Sequence, residues 1–192
     1  MLNRIKTFFA RDRGLSREQV AALIRLPPEE RLARLGIVLH EVCVKSATRF
    51  VEEEHRRADS PFRNLVKTEL FHEVLVMNFW VLAWLFKGRH QHLQAQVHRH
   101  YTISFVWGRE SSGRELLDTM RAKFQDYDKA WDDYSGHQDR FARQAIVIIF
   151  GGRQIAAAPQ AAFWLISYAD RTMKDFARIG KSVSRIMGEK AG

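Results

Sequence analysis

From Val74 to Phe86 the chain runs thirteen residues with no charge and a single polar side chain, Asn78. His72 and Glu73 precede this run and Lys87 follows it. It falls short of the roughly 20 apolar residues that cross a bilayer, and lengthening it toward the N-terminus would bury ionisable groups. What remains is a helix apolar on every side, which must lie at the centre of a bundle and be covered by other helices.

The flanking sequence supplies those helices. Ser16 and Gln19 form a capping box ahead of Val20, Leu23 and Ile24, which predicts a helix over 16–26. Pro27-Pro28 ends it, and Pro28 with Glu29 and Glu30 suits the start of a second helix reaching about His55. Asp59-Ser60-Pro61 reads as an N-cap with proline at the first helical position, so the central helix is expected over 61–87. Further helices are expected over 90–107, from Ser112 to Tyr134, over 138–150, and from Pro159 to Ile179, the last continuing to Met187 if Gly180 is accommodated. The β-branched run Ile146-Val147-Ile148-Ile149 has no partner run to pair with and reads as helix. Short connections favour antiparallel neighbours. The expected fold is therefore all-α: a single-domain antiparallel bundle of about six to eight helices.

Four prolines and eleven glycines are too few to punctuate a many-stranded β protein. At 192 residues one domain suffices, and no staple is needed to hold it together. The lone cysteine, Cys43, excludes an internal disulfide and points to a reducing, cytoplasmic setting, with peripheral membrane association open. The chain divides into a basic amphipathic segment over 1–13, a bundle over 14–179, and a basic tail or helix extension over 180–192.

Three internal constellations invite a chemical reading. Glu52-x-x-His55 and Glu69-x-x-His72 carry the spacing of di-iron helical bundles, in which such motifs on two helices join a glutamate from each of two others. Glu69 and His72 share the stripe of Leu65, Val76 and Phe79 and are expected to point inward. Glu52 points away, and the second half of the chain holds no matching motif. Glu69 and His72 are thus the only metal-ligand candidates, and a polar patch of Glu69, His72 and Glu73 within a helix interface is the expected reading. His90, His92, His98 and His100 sit on one helix at spacings that no pair can use to share an ion, and read as a solvated face. Phe124, Tyr127, Trp131 and Tyr134 alternate with Asp126, Asp128, Asp132 and Asp133; acidic neighbours repel phosphate, so a nucleic-acid platform is not indicated.

The net charge of +9 is concentrated at the ends. Arg4, Lys6, Arg11 and Arg13 against Asp12 give +3 over residues 1–13, and Arg171, Lys174, Arg178, Lys181, Arg185 and Lys190 against Asp175 and Glu189 give +4 over 171–192, leaving +2 on the other 157 residues. Leu2, Ile5, Phe8 and Phe9 at one end, and Phe176, Ile179, Val183 and Ile186 at the other, add apolar stripes. The plainer expectation is that both stripes dock on the bundle, while basic amphipathic segments of this kind also suit an anionic membrane surface or an acidic partner. No phosphate loop, nucleophile elbow, paired Cys-x-x-Cys or HExxH occurs. The expected function is a non-enzymatic interaction module without cofactor, an adaptor, assembly factor or regulator working through Arg4, Lys6, Arg11, Arg13, Lys174, Arg178, Lys181 and Arg185. The alternatives are a metal- or oxygen-handling enzyme using Glu69 and His72, and a small-ligand sensor built on Trp80, Trp84 or Trp131.

Overall fold

The computed structural model describes residues 15–86, 89–106, 113–132, 138–150 and 158–188. Among these, seven helices and no strand occur: α1 Arg17–Ile24, α2 Pro28–Arg56, α3 Lys67–Leu85, α4 Gln91–Val106, α5 Gly113–Asp132, α6 Gln138–Phe150 and α7 Ala158–Met187. No helix among them is long and apolar enough to cross a membrane. Ser16 caps α1 as its sequence predicts: its Oγ accepts from the Gln19 backbone N–H at 3.1 Å, and Gln19 Oε1 accepts from Ser16 N–H at 2.8 Å. Pro28 opens α2, with Glu29 and Glu30 in its first turn.

The central helix starts later than expected. Ser60 does not cap a helix at Pro61. Its hydroxyl accepts from Phe62 N–H at 3.1 Å and donates to Glu54 Oε2 at 2.9 Å. That local arrangement competes with helix, and the chain turns twice more (Arg63 N–H to Ser60 C=O, Leu65 N–H to Phe62 C=O) before α3 begins at Lys67. The turns place Phe62 fully inside the core.

From Leu70 onward α3 is the axis of the fold. Val74 through Leu82 are all buried, and α2, α5, α6 and α7 pack around them. α2 runs antiparallel to α3, so that the Cys43 carbonyl lies opposite Asn78 and His40 lies against Phe79. Asn78, completely buried, meets its partners on two helices: its Nδ2 donates to Cys43 C=O at 3.0 Å, and its Oδ1 accepts from Tyr168 OH of α7 at 2.8 Å. Ser46 Oγ, 3.0 Å from the same phenol, closes a network linking α2, α3 and α7. On the other flank Lys123 of α5 grips both carboxylate oxygens of Glu73 at 2.5 and 2.6 Å, and Trp80 Nε1 donates to Asp128 at 2.9 Å.

α2 and α4 form the most extensively packed helix pair and run in the same direction, each antiparallel to the α3 that lies between them in the chain. Gly36 meets Gln96, and one turn further along each helix His40 meets His100. A Cβ at Gly36 would lie 2.5 Å from the Gln96 Cβ, so the absence of a side chain sets how closely these helices approach. In an isolated helix Gly→Ala gains roughly 1 kcal/mol. Gly36→Ala is expected to reverse that sign and destabilise the protein by about 1–3 kcal/mol, because the clash involves a Cβ that no rotamer can move. Urea unfolding of the two proteins checks this, and a more stable variant would contradict the close approach.

Candidate functional site

Each region singled out by the sequence has a definite surrounding. Glu69 is exposed in the first turn of α3, where its charge suits the positive end of the helix. Its expected inward orientation is therefore corrected: with α3 starting at Lys67, its first turn stands clear of the bundle and the buried stripe begins at Leu70. His72 is half-buried, its ring edge-on to Phe71 at 5.7 Å. Glu73 is the member of the expected polar patch that bridges helices, through Lys123. The other motif is structural in a different way. Glu52 is exposed and pairs with Arg56 at 3.1 Å, while the two ring nitrogens of His55 each lie 3.0 Å from a backbone carbonyl, of Val51 and of Leu65. His55 thus fastens the end of α2 to the turns that follow. Among the described residues no three His, Cys, Asp or Glu side chains converge as metal ligands.

Trp80, Trp84 and Trp131 belong to one aromatic cluster. Trp131 lies 5.7 Å from Trp80 and 5.5 Å from Trp84 between ring centroids, and Tyr127 lies 5.4 Å from Trp80. Burial raises the Tyr127 phenol far above its ordinary value, with Glu73 and Asp126 adding to it. Cys43 is wholly buried, and desolvation lifts its thiol out of the reactive range.

The α4 histidines are not a uniform solvated face. α4 is packed by α2 on one flank and α5 on the other, so residues about 200° apart on it meet different neighbours. His92 is exposed, and His90 lies edge-on to Phe86 at 5.3 Å. His98 turns toward α5, between Phe124 at 5.9 Å and Phe79 at 6.4 Å. Burial first, and Arg121 second, bring its pKa down to about 4. His100 turns toward α2, where its ring lies 6.3 Å from that of His40.

His40 is a residue that sequence reasoning missed. It is only 8% exposed and stacks on Phe79 at 5.8 Å. Desolvation lowers its pKa, with the neighbouring His100 acting in the same direction and Glu41 opposing. The Nε2 atoms of His40 and His100 are both buried and have no hydrogen-bond partner among the described residues. The two rings line an open cleft of about 360 Å³ between α2 and α4, with Glu41, Lys45 and Ser104 around it. The sequence did hold a signal: His40 follows Leu39 on the Leu32, Leu35, Leu39, Phe50 stripe, four residues after a mid-helix glycine.

The basic ends divide between what is described and what is not. Arg4, Lys6, Arg11 and Arg13 lie outside the described residues. At the other end α7 runs unbroken through Gly180 to Met187. Phe176, Ile179, Val183 and Ile186 are all at most 2% exposed, so this apolar stripe docks on the bundle. Arg171, Lys174, Arg178, Lys181 and Arg185 occupy the opposite face and are exposed. Comparison with family models, curated proteins and solved structures finds no match.

A buried acid was also missed. Glu54 is 7% exposed, and burial raises its pKa while the Ser60 hydrogen bond opposes the shift. The fold therefore favours the protonated form. Its contribution to stability is fully present below the unfolded carboxyl pKa of about 4.3 and is lost as pH rises through the higher folded value. Glu54→Gln keeps an acceptor for Ser60 and removes the charge. It is expected to be more stable than the parent at pH 7, by on the order of 1 kcal/mol, with the difference closing as pH falls to about 4. Chemical unfolding at the two pH values tests this; a variant less stable at pH 7 would contradict it.

Proposed function

We propose that this chain is a non-enzymatic contact module, an adaptor, assembly factor or regulator, whose α7 outer face meets an acidic protein partner. The observation that carries the reading is the ridge of Arg171, Lys174, Arg178, Lys181 and Arg185, five exposed cations at alternating steps of three and four. At about 1.5 Å per residue the ridge spans roughly 21 Å, one cation per turn along one line of the helix. Lys174 pairs with Asp170 at 2.7 Å and Arg178 lies 3.7 Å from Asp175. Arg171, Lys181 and Arg185 have no carboxylate partner among the described residues.

Burial of the apolar stripe on α7 favours a protein over a lipid surface. A membrane-binding helix gains much of its affinity by sinking an apolar face into the headgroup region, and here that face is occupied by the core. What α7 offers outward is charge, which steers and orients a complementary acidic surface. Arg4, Lys6, Arg11 and Arg13 belong to the same reading as a second basic segment. A reducing, cytoplasmic setting suits it, Cys43 being buried and unpaired.

The test is binding of the full chain to a polyglutamate peptide, read by fluorescence anisotropy at low and high salt, with anionic and neutral vesicles in parallel. Peptide binding that weakens with salt is expected, as is a loss of about tenfold on Lys181→Glu combined with Arg185→Glu, each exposed charge contributing under about 1 kcal/mol. Binding indifferent to salt and to charge reversal would overturn the reading. Binding to anionic vesicles without binding to the peptide would replace the protein partner with a membrane surface.

A further inference from the structure

The cleft between α2 and α4 is independent of the basic ridge and carries its own chemistry. A buried polar atom without a partner costs about 1–3 kcal/mol, and two neighbouring rings here each carry one, Nε2 of His40 and Nε2 of His100. They are brought together by a specific device. Gly36 allows α2 and α4 to touch backbone to side chain at Gln96, and the next turn of each parallel helix then delivers one imidazole to the shared wall. His40 is 8% exposed and its ring is held by stacking on Phe79 at 5.8 Å, which restricts how it can turn.

We propose that His40 and His100 form a binding site for a divalent transition-metal ion of the zinc, nickel and copper class. Imidazole nitrogen is the ligand these borderline ions prefer, and two nitrogens on adjacent helices can bind one ion where neither alone holds it. The ring separation is compatible with this. A metal–nitrogen bond of about 2.1 Å places an ion about 3.2 Å from the centre of each ring, so two rings can share it up to a separation of about 6.4 Å. The observed separation is 6.3 Å. Approach to a tetrahedral angle needs the rings to close by about 1 Å, a movement within the reach of side-chain rotation.

The surroundings define what kind of site this is. No third ligand-type side chain converges on the pair among the described residues, so the protein supplies two ligands and the open side of the cleft supplies the rest, from water or from a small molecule. A structural zinc site is closed by four protein ligands; a two-imidazole site is exchangeable and keeps positions free. Glu41 at the cleft contributes negative charge near the ion, and Lys45 and Ser104 stand where they can contact a ligand held by it.

The experiment is titration of the full chain, free of any histidine tag, with Zn²⁺ alone by calorimetry, followed by electron paramagnetic resonance of the Cu²⁺ form. One equivalent that saturates at micromolar concentration is expected. It should weaken by roughly tenfold or more in His40→Gln and in His100→Gln and be unchanged in His92→Gln. The Cu²⁺ spectrum should show coupling to two imidazole nitrogens. Circular dichroism establishes that each variant folds. If His40→Gln does not, the His100→Gln titration and the spectrum of the parent chain decide. No saturable binding, binding unaffected by either substitution, or a spectrum without two nitrogen couplings would overturn the site.

Discussion

The structure depends on the burial of α3. A helix with apolar residues around its whole circumference has no stable place except inside a protein, and its cover must come from every side. α2, α5, α6 and α7 supply it. Hydrophobic burial is non-directional, however, and would accept many rotations and slips of these helices. Asn78 removes that freedom. A side-chain amide without partners in such a core is costly, and its donor and acceptor are met only when Cys43 C=O of α2 and Tyr168 OH of α7 stand on either side of it. The single polar residue of the central helix thereby fixes the axial register of two neighbours.

From that register the rest of the molecule follows. With α2 antiparallel to α3 and α4 alongside α2, His40, Phe79 and His100 are set against one another. With α7 held at Tyr168, its C-terminal apolar stripe closes over the core as far as Ile186, whose carbonyl accepts from Arg31 of α2 at 3.2 Å. Docking one face of α7 fixes which face is presented to solvent, and that face is the basic one. The helix that carries the ridge is thus held by the core beneath it, so the spacing of its cations is set without first ordering a flexible segment.

The fold was legible because its strongest signals are local or periodic. The capping box at Ser16, the proline at the start of α2 and the uninterrupted run in α3 each state their own physics. Where the reading failed, a tertiary partner decided. Ser60-Pro61 has the chemistry of a helix start, but buried Glu54 claimed the Ser60 hydroxyl. Glu69 was placed inward by extending a stripe through residues that turn instead of coiling. His98 and His100 were read as solvated since nothing along α4 announces that α2 and α5 cover both its flanks. His40 was missed for the same reason: its importance lies in a residue sixty positions away, and one-dimensional spacing does not encode that contact. The basic ridge of α7 and the apolar stripe behind it are both visible in the sequence, and docking of that stripe on the bundle is its plainer reading.

Native-state hydrogen exchange tests the organising role of α3 most directly. Amides of Val74 through Leu82 should exchange only through global unfolding, with protection equal to the full stability of the protein, while those of α1 exchange through local opening. Asn78→Ala should lower protection throughout α3 and in the facing turns of α2 and α7 together. If α3 amides exchange more readily than those of α6 or α7, or if Asn78→Ala lowers protection in α3 alone, the central helix does not hold the bundle together.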